Sequence, residues 1–322
     1  MRYLHPPRVS VALCTYNGAA FLEEQLASLS VQTLLPFEVI ICDDLSTDNT
    51  SSIVENFAKQ SQFPVHFFRN QWRLGSTLNF DRAIGLCSGD IIALADQDDV
   101  WRTDKLERLG HALAAQGVIA VFSDAEVTDD ELIPLGYTMW QRLAFSGKEQ
   151  ARVASGHALD ILLKRYVVMG ATLVFDADLR RLILPIPPGW HHDAWIALVA
   201  SVAGDLVLDD EALVKYRQHS TNQIGGRKLP FFSQFRSALK VDRNAYLAEE
   251  IKRWSELHER LFDLSEMRMS GIQAKLIHLK KRASFPQSRW VRFFSVLREI
   301  QSGGYSRYAR NWGSIALDLL IK

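Results

Sequence analysis

Residues 91–99 read Ile-Ile-Ala-Leu-Ala-Asp-Gln-Asp-Asp, a short apolar run followed by three carboxylates within four positions. Because a Ser-Gly-Asp turn signal precedes it at 88–90, the run is typical of a buried strand. The carboxyl end of that strand then presents Asp96, Asp98 and Asp99 side by side. Neighbouring carboxylates repel one another, so this strand end predicts a Mg²⁺ or Mn²⁺ site, or else a solvated acidic turn in which Asp96 or Asp98 caps the next helix.

Three strand–helix units precede this run. The predicted strands are 9–14, 37–42 and 65–68, and the predicted helices are 21–31, 51–60 and 76–86. This alternation predicts an α/β fold with a parallel sheet between two layers of helices. Ligands of such folds lie beyond the carboxyl ends of the strands. The polar clusters at 15–18, 43–48 and 96–99 all fall at those ends, so they are expected to face one crevice.

The second half of the sequence is more mixed. Further strands are predicted at 118–122, 172–175, 206–208 and 212–216, the last two near the edge of the sheet. After Gly225-Gly226 the composition changes, and 231–301 is predicted to be mostly helical with a break at 284–288.

Charge is balanced overall but segregated along the chain. Of the 37 basic and 37 acidic side chains, 18 and 28 fall within 1–226, whereas 19 and 9 fall within 227–322. This asymmetry indicates regions with different partners, although nothing in the sequence resembles a nucleic-acid-binding module and no nucleic acid is expected. Three cysteines are too few for a disulfide framework, and no stretch has the length of a signal peptide core or a membrane span, so a cytoplasmic protein is expected.

Six motifs in this order resemble family 2 glycosyltransferases of the GT-A fold, in particular bacterial rhamnosyltransferase-like enzymes of O-antigen or capsular polysaccharide synthesis. They are Thr-Tyr-Asn-Gly at 15–18, Asp-Asp-Leu-Ser-Thr-Asp at 43–48, Ser-Gly-Asp at 88–90, Asp-Gln-Asp-Asp-Val-Trp at 96–101, His-His-Asp-Ala-Trp at 191–195 and Tyr-Arg-Gln-His at 216–219. The resemblance covers about 8–226. It implies a Rossmann-like mixed sheet flanked by helices, with a catalytic domain over 1–226 and a basic, aromatic-rich helical extension over 227–322. The nucleotide-binding half is expected at about 8–100 and the acceptor half at about 101–226.

The resemblance also implies roles for individual residues. The nucleoside diphosphate would be bound by Thr15, Tyr16, Asn17, Asp43, Asp44, Asn79 and Asp96. Asp98 and His219 match positions that hold the metal, Mg²⁺ or Mn²⁺, and Asp193 matches the catalytic base. The chain departs from the family pattern at Leu45 and Ala194, which removes no carboxylate and bears on the fit of the sugar.

These roles imply an inverting transfer. Asp193 would remove the proton of the acceptor hydroxyl, provided that Trp190 and Trp195 shield it from water. The sugar donor is expected to carry dTDP, UDP or GDP, and the acceptor to be a glycan or a lipid-linked glycan.

Several neighbouring residues allow two interpretations each. His191 and His192 either contact the metal or acceptor or are polar residues at a helix start, and Asp48 is expected to cap a helix. Arg217 pairs either with the diphosphate or with an acidic residue among 209–211. Gly170 either floors the acceptor site or marks a tight turn.

The basic residues of 268–298 are interleaved with Trp290, Phe293 and Phe294. This pattern suits either contact with an anionic membrane or packing of the aromatics against the rest of the protein. Two rival functions remain. A haloacid-dehalogenase-type phosphatase shares the Asp-x-Asp pattern at 96–98 but places it after its first strand, and a non-catalytic glycan-binding or scaffold protein would not need Asp98 and Asp193.

Overall fold

The computed structural model describes residues 7–219, 242–264, 266–309 and 312–321. They divide into two compact units. The first consists of the described residues up to Ala158 together with Val167–His219, and the second consists of Leu159–Tyr166 with the described residues beyond Ser220. The boundary expected at 226/227, with its Gly225-Gly226 signal, lies outside the described residues, as does the part of the predicted helical region at 231–241.

The first unit is built on a mixed sheet in the order β3-β2-β1-β4-β8-β6-β9-β5, with β7 paired to β6. Its strands are β1 Val9–Thr15, β2 Glu38–Asp43, β3 Val65–Arg69, β4 Ile91–Asp96, β5 Val100–Trp101, β6 Val118–Thr128, β7 Pro134–Thr138, β8 Leu173–Asp176 and β9 Asp205–Arg217. The first four strands are mutually parallel, whereas β8 runs antiparallel to both β4 and β6. The predicted α/β fold with a mixed sheet is therefore confirmed.

The register of the parallel strands brings their polar ends to one edge. Thr15 at the end of β1 lies beside Asp43 of β2, and Cys14 lies beside Asp96 of β4. All seven residues of β1 are buried, which agrees with a central strand covered on both faces. The two short strands predicted at 206–208 and 212–216 form one long strand, β9, whose pairing with β6 is irregular near Ser123 and Asp124.

Helices connect these strands. They are α1 Leu22–Ser30, α2 Thr50–Gln60, α3 Ser76–Leu86, α4 Lys105–Leu113, α5 Met139–Arg142, α6 Gly147–Ala154, α7 Ala158–Leu162, α8 Arg180–Ile183 and α9 His192–Ala203. The leucines of α1 and α4 recur at helical spacing and pack with alternate residues of β1, β2 and β4 in one core. The predicted helices at 21–31, 51–60 and 76–86 agree with α1, α2 and α3 within one residue at each end.

The second unit is helical where the structure describes it. Its longer helices are α10 Arg243–Arg260, α11 Glu266–Ala283, α12 Arg289–Gln301, α13 Gly304–Tyr308 and α14 Trp312–Leu320. The predicted break at 284–288 separates α11 from α12. A small core of Phe285, Val296, Tyr305, Ala309 and Ile315 holds α12, α13 and α14 together. Among the described helices, none is both long and apolar enough to cross a membrane.

Candidate active site

The side chain of Gln97 joins the turn after β1 to the acidic loop after β4. Its Oε1 accepts a hydrogen bond from the backbone N–H of Tyr16 at 2.8 Å, and its Nε2 donates to the carbonyl of Tyr16 at 3.0 Å. A Cβ on Gly18 would lie 2.3 Å from Gln97 Oε1, so only glycine admits this contact. Two of the three predicted polar clusters are thereby held against each other.

Asp43 organises the ends of β1 and β2. Its buried carboxylate accepts hydrogen bonds from Thr15 Oγ1 at 2.8 Å and from the backbone N–H of Ser46 at 2.9 Å. Asn17 has a φ of +48°, a left-handed conformation that asparagine tolerates, and its Oδ1 accepts from the backbone N–H of Thr47 at 2.8 Å. Thr15 and Asn17 thus lie at the predicted crevice, and their side chains order the two turns that line it.

Asp48 lies at the start of α2, as its expected capping role requires. Its Oδ1 accepts from the backbone N–H of Thr50 at 3.1 Å, and its Oδ2 accepts from that of Ala19 at 3.0 Å. Partial burial opposes ionisation, but hydrogen bonds from Thr50 and Ala19 outweigh it and lower the pKa of Asp48. The carboxylate therefore joins the turn after β1 to α2.

Asp44 holds the loop that precedes α3. Its Oδ1 accepts from the backbone N–H of Leu74 at 2.7 Å, and its Oδ2 accepts from that of Gly75 at 2.9 Å. The guanidinium of Arg73 lies 3.8 Å from the same carboxylate and 3.6 Å from the centre of the Tyr16 ring. The residue expected to recognise the base is therefore buried under a loop that Tyr16 and Arg73 cover.

Asn79 and Asn70 form a buried amide pair beside Asp44. Asn70 Nδ2 donates to Asp44 Oδ1 and to Asn79 Oδ1, both at 2.9 Å, and Asn79 Nδ2 donates to the carbonyl of Cys42 at 2.7 Å. Arg82 donates to Asn70 Oδ1. Asn79 thus lies close to the predicted nucleotide site, with its amide joining α3 to the end of β2.

The acidic loop after β4 carries strongly perturbed carboxyl groups. Desolvation, together with the negative charges of Asp98 and Asp193, raises the pKa of Asp96 to about 7. Burial, together with the negative charges of Asp98 and Asp96, raises the pKa of Asp99 well above its ordinary value. Asp99 Oδ1 accepts from the backbone N–H of Arg217, whereas its buried Oδ2 has no hydrogen-bond partner among the described residues. The loop therefore concentrates negative charge that the surrounding protein does not fully balance.

The side chains of Asp98 and His219, the two predicted metal ligands, are in contact. Their Oδ2 and Nε2 atoms are 2.8 Å apart, and the ring of His219 lies 4.7 Å from that of Phe21. This contact joins the acidic loop to the residues that follow β9. The helix-capping alternative for Asp96 and Asp98 is wrong, because α4 begins after Asp104 with no side-chain cap in the described structure.

Arg217 fixes the other side of the same loop. Its buried guanidinium donates to the carbonyl of Asp98 at 2.9 Å, pairs with Glu24 and lies 4.6 Å from the centre of the Phe21 ring. The acidic residues considered as its partners pair elsewhere, Asp209 with Arg108 and Glu211 with Arg102. Arg217 therefore positions the backbone of the loop.

Lys105 was not predicted, and it is a buried cation beneath the acidic loop. Its Nζ donates to the carbonyl of Ala171 at 2.6 Å and lies 3.2 Å from the centre of the Trp101 ring. Burial lowers the pKa of Lys105 well below its ordinary value, although the charges of Asp99 and Asp96 oppose this shift. The sequence held one signal, since Lys105 continues the apolar stripe of Leu109 and Leu113 at a spacing of four residues.

Asp193 lies in the first turn of α9, where its Oδ1 accepts from the backbone N–H of Ala194 at 2.7 Å. The negative charge of Asp193 contributes to the raised pKa of Asp96. Of the flanking tryptophans, Trp195 is buried and donates to the carbonyl of Ile183, and its ring lies 5.6 Å from that of Trp190. The predicted catalytic carboxylate thus shares one electrostatic site with the acidic loop.

The two histidines before Asp193 have different surroundings. His191 is exposed at the start of α9, whereas His192 stacks on Phe80 with 4.0 Å between ring centres. Burial lowers the pKa of His192. A Cβ on Gly170 would lie 2.7 Å from His192 Nε2, so Gly170 makes room for that ring.

The donor set suits a divalent cation that is shared with a phosphorylated ligand. A carboxylate oxygen and an imidazole nitrogen are both ligands of Mn²⁺, and Mg²⁺ is bound by one or two carboxylates plus substrate phosphates. No group of three His, Cys, Asp or Glu side chains arranged for a metal occurs in the described part of the chain. Asp98 and His219 therefore fit a cation whose remaining ligands come from the diphosphate.

The first half of the chain resembles a known protein family. Residues 10–159 match the model of the family described as "Glycosyl transferase family 2". This match spans the ends of β1, β2 and β4 and the acidic loop. Over these residues the resemblance expected from the motifs is confirmed.

Several glycosyltransferases share 25–27% sequence identity with this chain. The chain is 27% identical to the dTDP-rhamnosyl transferase RfbG of Shigella flexneri over 250 residues, which is 74% of this chain and 82% of the relative. It is 25% identical to an uncharacterised glycosyltransferase of Nostoc over 67% of this chain and 66% of the relative. A UDP-Glc:α-D-GlcNAc-diphosphoundecaprenol β-1,3-glucosyltransferase of Escherichia coli is 25% identical over 43% of this chain and 53% of its own length.

Solved structures share the fold. A fragment of Staphylococcus aureus TarS in complex with UDP-GlcNAc matches 92% of this chain and 81% of its own with a TM-score of 0.57 and 15% identity. A mannosyltransferase of Pyrobaculum calidifontis in complex with GDP-Man and Mn²⁺ matches 98% of this chain and 86% of its own with a TM-score of 0.57 and 17% identity. The chain spans 44% of a longer TarS chain. At these identities the likeness establishes the GT-A fold alone.

Proposed function

We propose that this protein is an inverting glycosyltransferase that moves a sugar from a nucleoside-diphosphate sugar to a glycan or lipid-linked glycan acceptor in cell-surface polysaccharide synthesis. One observation carries the proposal. Burial, together with the nearby negative charges of Asp98 and Asp193, raises the pKa of Asp96 to about 7, so the acidic loop and Asp193 form one electrostatic site. A carboxylate cluster of this kind is stable when a cation and a phosphorylated ligand complete it.

The donor nucleotide binds at the ends of β1 and β2. We assign it Thr15, Tyr16, Asn17, Asp43, Asp44 and Asn79, with Asp96 at the ribose. Asp44 accepts two backbone N–H groups from the 74–75 loop, so it presents the acceptor chemistry that an imide N–H of a base also requires. For Asp44 to accept a hydrogen bond from the base, the 74–75 loop must move away from its carboxylate. Arg73 and Tyr16 cover that loop.

Asp98 and His219, whose side chains are in contact, would hold Mg²⁺ or Mn²⁺. When bound, the cation supplies Lewis-acid stabilisation of the charge on the departing nucleoside diphosphate. Arg217 contributes by fixing the backbone carbonyl of Asp98.

Asp193 is the general base. It accepts the proton of the acceptor hydroxyl while the acceptor oxygen forms a bond to the anomeric carbon. The bond from that carbon to the diphosphate oxygen breaks, and the leaving group keeps the electron pair. Attack from the face opposite the leaving group inverts the anomeric configuration.

The names of the relatives support finer assignments. The Shigella relative acts with a dTDP-rhamnosyl donor, which favours rhamnose, and the Escherichia coli relative acts on a diphosphoundecaprenol-linked sugar, which favours a lipid-linked acceptor. UDP and GDP remain alternatives because the fold neighbours bind them. We assign the enzyme to the cytoplasm with peripheral contact at the inner face of the membrane through 268–298, with catalysis in 1–226 and the helical extension in 227–322.

Calorimetry tests the donor site. Wild type is titrated with dTDP, UDP and GDP, each with and without Mn²⁺, and the titrations are repeated with Asp98→Ala. We expect one nucleotide to bind in a metal-dependent manner and Asp98→Ala to lose that binding. Asp178→Ala is the matched control, because Asp178 is exposed and lies outside the site.

Binding of none of the three nucleotides would contradict the proposal. Metal-dependent binding that survives in Asp98→Ala would overturn the metal assignment alone. Turnover of a phosphate monoester instead of a nucleotide sugar would favour the rival phosphatase.

A further inference from the structure

Helix α12 buries two charged residues and exposes most of its large apolar residues. Arg292, Val296 and Glu299 form its buried face. The opposite face exposes five large apolar side chains, and the tryptophan among them is 86% accessible. They are Trp290, Phe293, Phe294, Leu297 and Ile300. An apolar stripe that faces outward on a helix is the reverse of the usual arrangement. It indicates a surface that a membrane or another molecule covers.

Specific contacts fix this orientation. Arg292 donates to the carbonyls of Pro286 and Gln287 and, through Nη1, to those of Asp318 and Ile321 at 3.0 Å and 2.7 Å. Glu299 accepts from His278 and pairs with Lys281. These hydrogen bonds and ion pairs hold the polar face of α12 against α11 and α14.

The surface has a basic rim. Arg289 is exposed and donates to the carbonyl of Leu320 in α14 at 2.9 Å. Arg289 and Arg298 are the exposed charges of α12 in the described structure, because Arg292 and Glu299 are buried. We call the outward face of α12 the aromatic face.

We propose that the aromatic face docks the protein onto a lipid bilayer that contains anionic lipids. Aromatic and aliphatic side chains enter the boundary between headgroups and acyl chains, and arginines at the rim pair with lipid phosphates. A second copy of the chain fits less well, since a twofold contact would bring the two basic rims together. The inference deepens the proposed function, on which it rests for its biological purpose, because a lipid-linked acceptor is presented at a membrane.

The proposal also corrects which basic residues of 268–298 are available. Lys275 donates to the carbonyl of Leu163, Arg282 pairs with Asp318, and Arg292 is held as described above. These three cations are buried and stabilise the unit. Among the exposed cations of this range, Arg289 and Arg298 are the two on the helix that carries the aromatic face, where they can meet lipid headgroups.

Vesicle sedimentation tests the proposal. The full-length protein is mixed with vesicles of phosphatidylcholine, with or without phosphatidylglycerol, and we expect it to pellet with the anionic vesicles. Trp290→Ser/Phe294→Ser should weaken binding by at least about tenfold, since two aromatic side chains no longer leave water. Arg298→Gln should weaken it by about fivefold, and raised salt should have the same direction of effect.

Phe262→Ser/Ile277→Ser is the matched control. Both side chains are apolar and exposed in the same unit, but neither belongs to the aromatic face. Pelleting that is equal for wild type and the Trp290/Phe294 variant would overturn the proposal. So would a dimer in sedimentation velocity that this variant dissociates, because the face would then pair two copies of the chain.

Nucleotide binding measured on the same samples separates the two proposals. Loss of vesicle binding with intact nucleotide binding would count against the lipid surface alone. Vesicle binding by a protein that binds no nucleotide would count against the proposed function alone.

Discussion

The two units bury charge in opposite ways. In the helical unit, the buried Asp318 accepts from Arg243 at 2.8 Å and from Arg282 at 2.7 Å, and the hydroxyl of Tyr305 also donates to it. In the sheet unit, Asp96 and Asp99 share a loop with Asp98, and their pKa values are raised by burial and by the charges of nearby carboxylates, first of all Asp98. The carboxylate of Asp318 is surrounded by donors, whereas the carboxylates of the acidic loop carry negative charge that nearby cations do not balance.

This difference distinguishes charged residues that stabilise the fold from charged residues that bind a ligand or take part in chemistry. A buried carboxylate that two guanidinium groups surround joins α10, α11 and α14 and requires nothing further. A set of carboxylates with raised pKa values remains costly until a ligand compensates it, and such sets concentrate at functional sites. The comparison therefore favours the acidic loop as the candidate site without reference to any relative.

The largest effect should come from Asp193→Asn. If the uncompensated cluster performs the chemistry, removal of the base lowers the rate of sugar transfer by about 10²–10⁴-fold. Nucleotide binding should persist, because the amide keeps the shape of the side chain. A radiolabelled transfer assay paired with calorimetry measures both, and transfer at the rate of wild type would remove Asp193 from the proposed mechanism.

Asp318→Asn should be the most destabilising of these substitutions. It leaves Arg243 and Arg282 buried without a countercharge, and breaking a buried ion pair costs about 3–5 kcal/mol in the free energy of unfolding. Urea denaturation followed by circular dichroism measures the loss. Unchanged stability would show that this carboxylate is not surrounded by donors in the way described, and the comparison would fail.

His278 predicts how stability depends on pH. Burial lowers its pKa from 6.5 to about 4, although its hydrogen bond to Glu299 opposes the shift, and its buried Nε2 has no partner among the described residues. Between these pH values the unfolded chain binds a proton that the folded protein rejects. The free energy of unfolding should therefore fall by up to about 3 kcal/mol as the pH decreases through this window.

Denaturation at a series of pH values, compared with His278→Gln, isolates this contribution. Glu299 titrates lower, because hydrogen bonds from Lys281 and His278 outweigh its burial and lower its pKa. The variant should therefore show a flatter profile above pH of about 4.5. Parallel profiles for the two proteins would contradict the prediction.

Asp99→Asn should have the smallest effect and the opposite sign. The neutral amide removes repulsion from the loop while its Oδ1 still accepts from the N–H of Arg217, so stability should rise by about 1 kcal/mol. Thermal unfolding of this variant, compared with that of the control Asp178→Asn, measures the change in stability. A decrease would mean that Lys105 already compensates the loop.

Periodicity and turn signals were sufficient to predict much of the fold. The strands at 9–14, 65–68 and 91–95 and the helix at 76–86 all appear within a residue of their predicted ends, because each carries its own apolar pattern. The short β5 and β7 were not predicted, since two to five residues hold too little pattern and their pairing is decided by β9 and β6. For the same reason β9 was predicted as two strands.

The contacts that hold the site together were harder to predict. Gln97 and Lys105 act on residues that are distant in the chain, Tyr16 and Ala171, and no local pattern announces such a bond. In α12, the spacing of Arg292, Val296 and Glu299 shows that they share a face, but not that this face points inward.

The sequence by itself determined the order of strands and helices, the polar strand ends, the family and the positions of the carboxylates, because these follow from local periodicity and short motifs. Tertiary structure alone decided which charges are compensated and which are not. Compensation depends on distances between residues such as Asp318 and Arg243, or Asp96 and Asp193, that only folding brings together. Its outcome distinguishes the cluster that stabilises the helical unit from the one proposed to bind the sugar nucleotide.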